Sequence, residues 1–585
     1  VPKMKKKTLL ALTTAAAAAW QLPRTLGLAE GQLAVFVPVL APALFYLLKT
    51  AFSITDKRLN RCAYGLGALF AIVTVVCQDL KQNGGFSAFQ WWNFLNGALA
   101  AAAFALAFGA ALALAFQAAA RAQDKRPGTE SAFSRVLGNW AFVFALLLIC
   151  WLPVWLAFFP GSFVADSATQ FYQYYDDEFT AHHPLLHTLL LGWLMTMGID
   201  MDPEGSGNGG VALYGIVQMV LMAAILAWAC RWLRKRGAPL WSRVCATLLF
   251  ALLPLYAFWS YSPQKDVLFG GVALLFVLEM TDLWRDGFAG LKSPWRIARV
   301  VLSAALMMLL RNNGLYALLL TVPFAIVWAR GARVRMGVLL AACLALYFGV
   351  NAGIMAALEA EGTDRVEMLS IPLQQMAHTL QKEPDALPDD DAALMDEVYP
   401  EGFAEYYYPP LADPVKWASD YDVVNERWGE ILGVWARLLP GHFGTYTEAF
   451  LIQNLPYVLP GCDAIYNMDT EPVELELFPI QPDSRLPALQ EAYLEYDRSL
   501  TLLGLPGVRL LSDSAFQVWL CMAGLAFAIY RRQKQWMVGF TFLLAIWFTC
   551  LLGPVALMRY VLALFYTVPV LLAAMLAPQG KPAQA

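Results

Sequence analysis

Long apolar runs separated by short, basic connections dominate the chain. Runs at about 8–22, 31–49, 62–78, 94–119 and 138–158 come close to, or exceed, the roughly 20 residues that a helix needs to cross a ~30 Å hydrocarbon core. Further runs fall at about 211–230, 243–259, 267–284, 299–311, 314–329, 336–357, 513–530, 536–553 and 560–577. The pattern predicts an all-α polytopic membrane protein with about 13–14 transmembrane helices. Basic clusters at Lys5 to Lys7, Lys57 to Arg61, Arg121 to Arg135, Arg231 to Arg236, Arg285 to Arg299, Arg330 to Arg335 and Arg531 fall in alternate connections. Placed in the cytoplasm, they put both chain ends inside and the loop after Phe159 outside. The run Pro184 to Gly198 is long enough for a short span. If it crossed, however, Arg231 to Arg236 would be outside, so it is expected to lie along the outer face. The opening KKKTLLALTTAAAAAW has the basic-then-apolar order of a signal peptide and is expected to be an uncleaved signal anchor.

One segment departs from this pattern. About 28 of the 45 acidic residues, against roughly 8 basic ones, lie between Leu358 and Ser512, which predicts a smaller, mostly helical, acidic extracytoplasmic domain. Within it, Trp428 to Pro460 carries apolar and aromatic residues at helical spacing, as expected of helices that lie on the membrane surface or roof a cavity. The expected organisation is N-terminal membrane helices over 1–137, a membrane core over 138–357 with an outer loop at 159–210, the acidic domain over 358–512, and C-terminal membrane helices over 513–585. The composition agrees: 59% of residues are hydrophobic and 15% charged, well above the roughly 45–50% apolar share of soluble domains. Eight of the nine cysteines lie in or beside apolar runs and only Cys462 in the polar segment, so no disulfide framework is expected. Nothing in this balance points to nucleic acid.

Ionisable residues are nearly absent from the middles of the runs and collect at one set of ends: Asp166, His182, His183, Lys265, Asp266, Arg311 and Arg559. A function at the outer interface follows. Asp166, in VADSATQFYQ, could take a proton from a sugar or lipid hydroxyl, or could simply cap the helix that follows. His183 and His187 stand four apart, a spacing that could bind a divalent metal or serve interfacial hydrogen bonding. Arg311, in Arg311-Asn312-Asn313-Gly314, interrupts two apolar runs. It could hold phosphate oxygens, or snorkel from an Asn-Gly turn. Lys265 with Asp266, and Arg559 with Tyr560, admit the same two readings.

An acid just after a membrane helix, then aromatics, then a His-Pro-Leu helix start (Asp166, Tyr172, His183-Pro184-Leu185) resembles the first outer loop of GT-C type glycosyltransferases. These include the protein O-mannosyltransferases and the bacterial aminoarabinose transferase of lipid A. SIPLQQMAH (370–378), TYTEAFL (445–451) and MRY (558–560) resemble an uncharacterised bacterial branch of them. The resemblance implies a multi-pass enzyme of the cell membrane that transfers a sugar from a polyprenyl-phosphate donor to a hydroxyl of a cell-envelope polysaccharide, lipid or protein. Asp166 and His183 would be catalytic. Tyr172, His182, Lys265, Asp266, Arg311, Asn312, Arg559 and Tyr560 would bind substrate. The chain has Ser167 where many members have a second acid, which argues against a metal bridged by paired acids. The rival expectations are a transporter or lipid flippase, which predicts broken helices and inverted repeats, and a non-catalytic polymer-binding protein.

Overall fold

The computed structural model describes residues 6–25, 30–87, 91–125, 131–468, 470, 473, 475–500 and 506–578. Among them the chain is helical, with three isolated β-bridges and no strand. Every apolar run of the sequence forms helix. Among the described residues, eight helices are long and apolar enough to cross a membrane: Lys57–Asn83, Trp91–Gln123, Trp140–Ala157, Gly207–Lys235, Lys265–Arg285, Arg333–Ala357, Ser514–Arg531 and Met558–Met575. The pair Leu240–Leu252 and Pro254–Tyr261, bent by 54°, makes a ninth if counted as one span. This is fewer than the 13–14 expected, because several runs are cut short. Pro294–Leu310, Asn312–Trp328 and Lys534–Cys550 have 17 residues each, so each rises only about 26 Å. The protein is a multi-pass, all-α membrane protein. The basic opening and the chain end, on which the expected placement of the termini rests, lie partly outside the described residues.

The interruptions coincide with the charges. Arg311 has extended backbone (φ −163°, ψ 131°) between helices that end at Leu310 and restart at Asn312. Lys265 and Asp266 open the Lys265–Arg285 helix, Arg559 sits in a short 3-10 turn before Leu562–Met575, and Asp166 lies in the first turn of Ala165–Tyr175. Helix starts leave backbone N–H groups free and favour carboxylates nearby, which suits both aspartates.

The segment 358–512 has its own core, with Leu373, Met376, Val424, Ile431, Val434 and Tyr446 buried together. It is fastened to the charged end of the bundle. Glu361 N–H donates to Phe179 C=O and Ala181 N–H to Glu361 C=O, at 2.9 and 2.8 Å, while Ala412 N–H donates to Pro554 C=O at 2.8 Å. The two motif-bearing stretches of this domain lie side by side. Gln375 Nε2 donates to Tyr446 C=O at 3.1 Å, and His378 Nε2 lies 3.3 Å from Glu448 Oε2. Glu448 also accepts the Phe86 N–H at 2.7 Å. These residues therefore form a joint between the domain and the N-terminal helices.

The run expected to lie on the outer face is the helix Leu185–Met201, packed on Ala165–Tyr175 and Gly207–Lys235. Its approach to the latter depends on missing side chains: a Cβ on Gly198 would stand 2.4 Å from Gly209 C=O. A Gly198→Leu substitution is expected to force this pair apart and cost about 1–3 kcal/mol or more. Gly65→Leu, with open space around its Cβ, is expected to change thermal stability little. Melting of the two variants in detergent checks the contrast.

Candidate functional site

Five charged side chains from four separate parts of the chain meet at one end of the bundle. Asp166 Oδ2 accepts from Lys265 Nζ at 2.7 Å and from Arg559 NH1 at 3.0 Å. Asp266, fully buried, is ion-paired with Arg311 and lies 3.8 Å from Arg559 NH1. Both guanidinium groups stand over the Tyr560 ring, at 4.1 Å for Arg311 and 5.1 Å for Arg559. His183 Nδ1 is 3.4 Å from Lys265 Nζ. An ammonium can only donate, so this contact places the imidazole proton on Nε2. Among the described residues three cations face two carboxylates, a balance that suits an anion.

The two oxygens of Asp166 are not equivalent. Oδ2 takes both cations, whereas Oδ1 has no hydrogen-bond partner among the described residues, and the side chain is 27% exposed. Burial alone would raise the carboxyl pKa. The Arg559 guanidinium and the Lys265 ammonium outweigh it and hold Asp166 well below the usual carboxylate range. Burial, reinforced by the neighbouring Lys265 charge and opposed by Asp166, holds His183 well below the usual histidine value, hence neutral.

The structure corrects the helix-cap reading of Asp166. The cap position is Val164, without a side-chain cap bond, and Asp166 points to its cations from inside the first turn. Arg311 does not snorkel; it is buried, and Asn313 Oδ1 accepts its Nε–H at 2.9 Å. Asn313 in turn donates to Thr549 Oγ1 at 2.9 Å, whereas Asn312 is exposed. His183 and His187 do not form a chelating pair. The helix starts at Leu185, so His183 precedes it, and both ring nitrogens of His187 are engaged, by Gln170 at 2.7 Å and Tyr214 at 2.8 Å. No group of three potential metal ligands occurs among the described residues. The carboxylates of the cluster are neutralised by cations, so the donor set does not fit a divalent metal.

His182 is exposed, its ring against that of His183. Tyr172 faces away from the cluster, its hydroxyl accepting the Glu476 N–H at 3.0 Å. Trp435 belongs to the core of the 358–512 domain, while Tyr457 Oη donates to Leu557 C=O at 2.8 Å and so fixes the approach to Arg559. Gln264 escaped the sequence reading, and the contact made by Ser167 was not foreseen. Gln264 Oε1 accepts from Arg559 NH1 at 2.6 Å. Ser167 Oγ donates to Pro263 C=O, locking the Asp166 helix to the Lys265 loop. Ser167 thus serves as a structural clasp.

Two outcomes are expected. Replacing Asp266 with Ala leaves Arg311 buried without its carboxylate and should cost about 3–5 kcal/mol, measured by thermal or denaturant unfolding in detergent. Because the folded pKa of His183 lies below its unfolded value of about 6.5, the unfolded chain binds the extra proton as pH falls. Its contribution is complete above pH ~6.5 and declines below it, by up to about 1.4 kcal/mol per pH unit. His183→Gln should therefore flatten the loss of melting temperature between pH 7 and 5.5.

No curated protein and no solved structure matches the chain. A family of unknown function (DUF6020) matches residues 175–585. This stretch contains His183, Lys265, Asp266, Arg311, Arg559 and Tyr560 and begins just after Asp166 and Tyr172. The chain belongs to the family of unknown function DUF6020.

Proposed function

We propose that the protein is a membrane glycosyltransferase that moves a sugar from a polyprenyl-phosphate donor to an acceptor hydroxyl at the outer face of the membrane. The observation that carries this reading is the Asp166 cluster. A carboxylate with one open oxygen stands beside a net cationic group of Lys265, Arg559 and Arg311, at the end of an apolar bundle and against a polar domain. A lipid-linked sugar phosphate needs this combination: membrane for its tail, cations for its phosphate and a base for the acceptor.

In the proposed reaction Asp166 Oδ1 takes the acceptor hydroxyl proton as the acceptor oxygen bonds to the anomeric carbon. The bond between that carbon and the phosphate oxygen breaks, and polyprenyl phosphate leaves with the electron pair. Attack opposite the leaving group inverts the configuration. Lys265 and Arg559, with Arg311 behind them, stabilise the charge growing on the phosphate. Cations engaged with Asp166 suppress its basicity. A donor phosphate that draws Lys265 and Arg559 toward itself releases the carboxylate, so the base becomes effective only when donor is bound. Neutral His183 positions the ammonium of Lys265 and presents Nε2–H as a donor. No step uses a metal.

One observation favours a transporter as the second reading: the break between Leu240–Leu252 and the wholly buried Pro254–Tyr261, just before Lys265. Broken helices recur in transporters. Transfer of labelled sugar from polyprenyl-phosphate donors in reconstituted membranes separates the two. The enzyme reading expects covalent labelling of the acceptor, reduced by about 100-fold or more in Asp166→Asn, while protein of both forms stays folded. Equal transfer by both forms removes Asp166 as the base. Label that crosses the bilayer without becoming attached points to transport.

A further inference from the structure

The Lys265–Arg285 helix carries Lys265 and Asp266 of the Asp166 cluster at one end and a second charge network at the other. There Asp282 Oδ2 accepts from Trp232 Nε1 at 3.0 Å and pairs with Arg236 and, at 3.6 Å, with Arg296. Glu279 pairs with Arg299 at 2.8 Å. A groove of about 660 Å³ opens beside this network, between the helices Gly207–Lys235, Lys265–Arg285 and Pro294–Leu310. None of its residues takes part in the chemistry proposed above.

One wall of the groove is a single face of the Gly207–Lys235 helix. Leu221, Ile225, Trp228, Trp232 and Lys235 follow each other at steps of four and three, which keeps them in line along one side. The wall is apolar toward the middle of the helix and cationic at its end. Arg231 and Lys235, one turn apart, are exposed and have no carboxylate partner among the described residues. At the same end Asp282 Oδ1 is buried without a hydrogen-bond partner. A ligand that satisfies all three features has an apolar chain, an anionic group, and a hydroxyl donor beside the anion.

We propose that this groove is a binding site for an anionic glycerophospholipid. The phosphodiester lies between Arg231 and Lys235, the acyl chain follows Leu221, Ile225 and Trp228, and a headgroup hydroxyl donates to Asp282 Oδ1. Free phosphate shares the anionic chemistry but has no use for the apolar track. Basic pockets between membrane helices, with tryptophan at the interface, suit such headgroups.

The test uses the purified full chain in maltoside detergent. Lipid binding is read by native mass spectrometry, and melting temperature is measured with added phosphatidylglycerol, phosphatidylcholine or inorganic phosphate. The site predicts that phosphatidylglycerol binds and stabilises at least about tenfold more effectively than phosphatidylcholine. The double variant Arg231→Ala, Lys235→Ala should lose that preference, because the two cations that attract the anionic headgroup are gone. Both residues are exposed and have no carboxylate partner among the described residues, so the variant should fold. A control, Arg333→Ala with Arg335→Ala, alters another basic connection and should keep the preference. Equal binding of the two lipids, or an unchanged preference in the Arg231/Lys235 variant, overturns the proposal. Stabilisation by inorganic phosphate equal to that by phosphatidylglycerol also overturns it, because the cations would then hold a soluble anion.

Discussion

Charge that is removed from water must be matched, and that constraint shapes both ends of this bundle. Asp266 lies wholly buried at the start of an apolar helix, where an isolated carboxylate would be intolerable. Arg311 satisfies it only because the backbone leaves helical geometry for one residue and turns that side chain inward. The same break shortens the two helices it separates. At the other end of the Lys265–Arg285 helix, Glu279 and Asp282 impose the same requirement, met by Arg236, Arg296 and Arg299. The charge network and the helix lengths are therefore one feature described in two ways.

Which residues gather at the site was largely legible in the sequence, because an ionisable residue that interrupts an apolar run has few alternatives to being functional or paired. Asp166, His183, Lys265, Asp266, Arg311, Arg559 and Tyr560 could all be singled out on that ground, and the fold brings them together. Their pairing was not legible. Asp166 and Arg559 are separated by 393 positions, and no local pattern encodes a contact at that range. The misses have local causes. A carboxylate near a helix start satisfies the cap rule in sequence, but two cations nearby outweigh a cap bond. His183 and His187 are four apart, but that spacing places side chains on one face only when both lie in the helix, and it begins at Leu185. Asn312 and Asn313 differ by one helical step of about 100°, enough to point one at Arg311 and the other outward.

The fold class follows from hydrophobic patterning, whereas the number of complete crossings does not. A run of apolar residues records that a segment avoids water, whether against lipid or against other helices. Lys265–Arg285 is apolar and almost entirely covered by protein, while Arg333–Ala357 is equally apolar and mostly uncovered. Composition cannot separate the two cases. Nor can it show that the acidic segment has a core of its own, because Leu373, Val424 and Tyr446 come from helices whose partners lie far along the chain.

Within the cluster, the charges differ in their freedom to re-pair. Arg311 is buried and held by Asp266, Asn313 and the Tyr560 ring. Lys265 and Arg559 share a single oxygen of Asp166, a residue partly open to solvent, and Arg559 is also held by Gln264 Oε1. In the proposed reaction the donor phosphodiester competes with the Asp166 carboxylate for the same donors, and it gains charge as its bond to the sugar breaks. In the proposed reaction these two are the groups that Asp166 releases before it accepts a proton, while Asp266 and Arg311 stay paired beneath them.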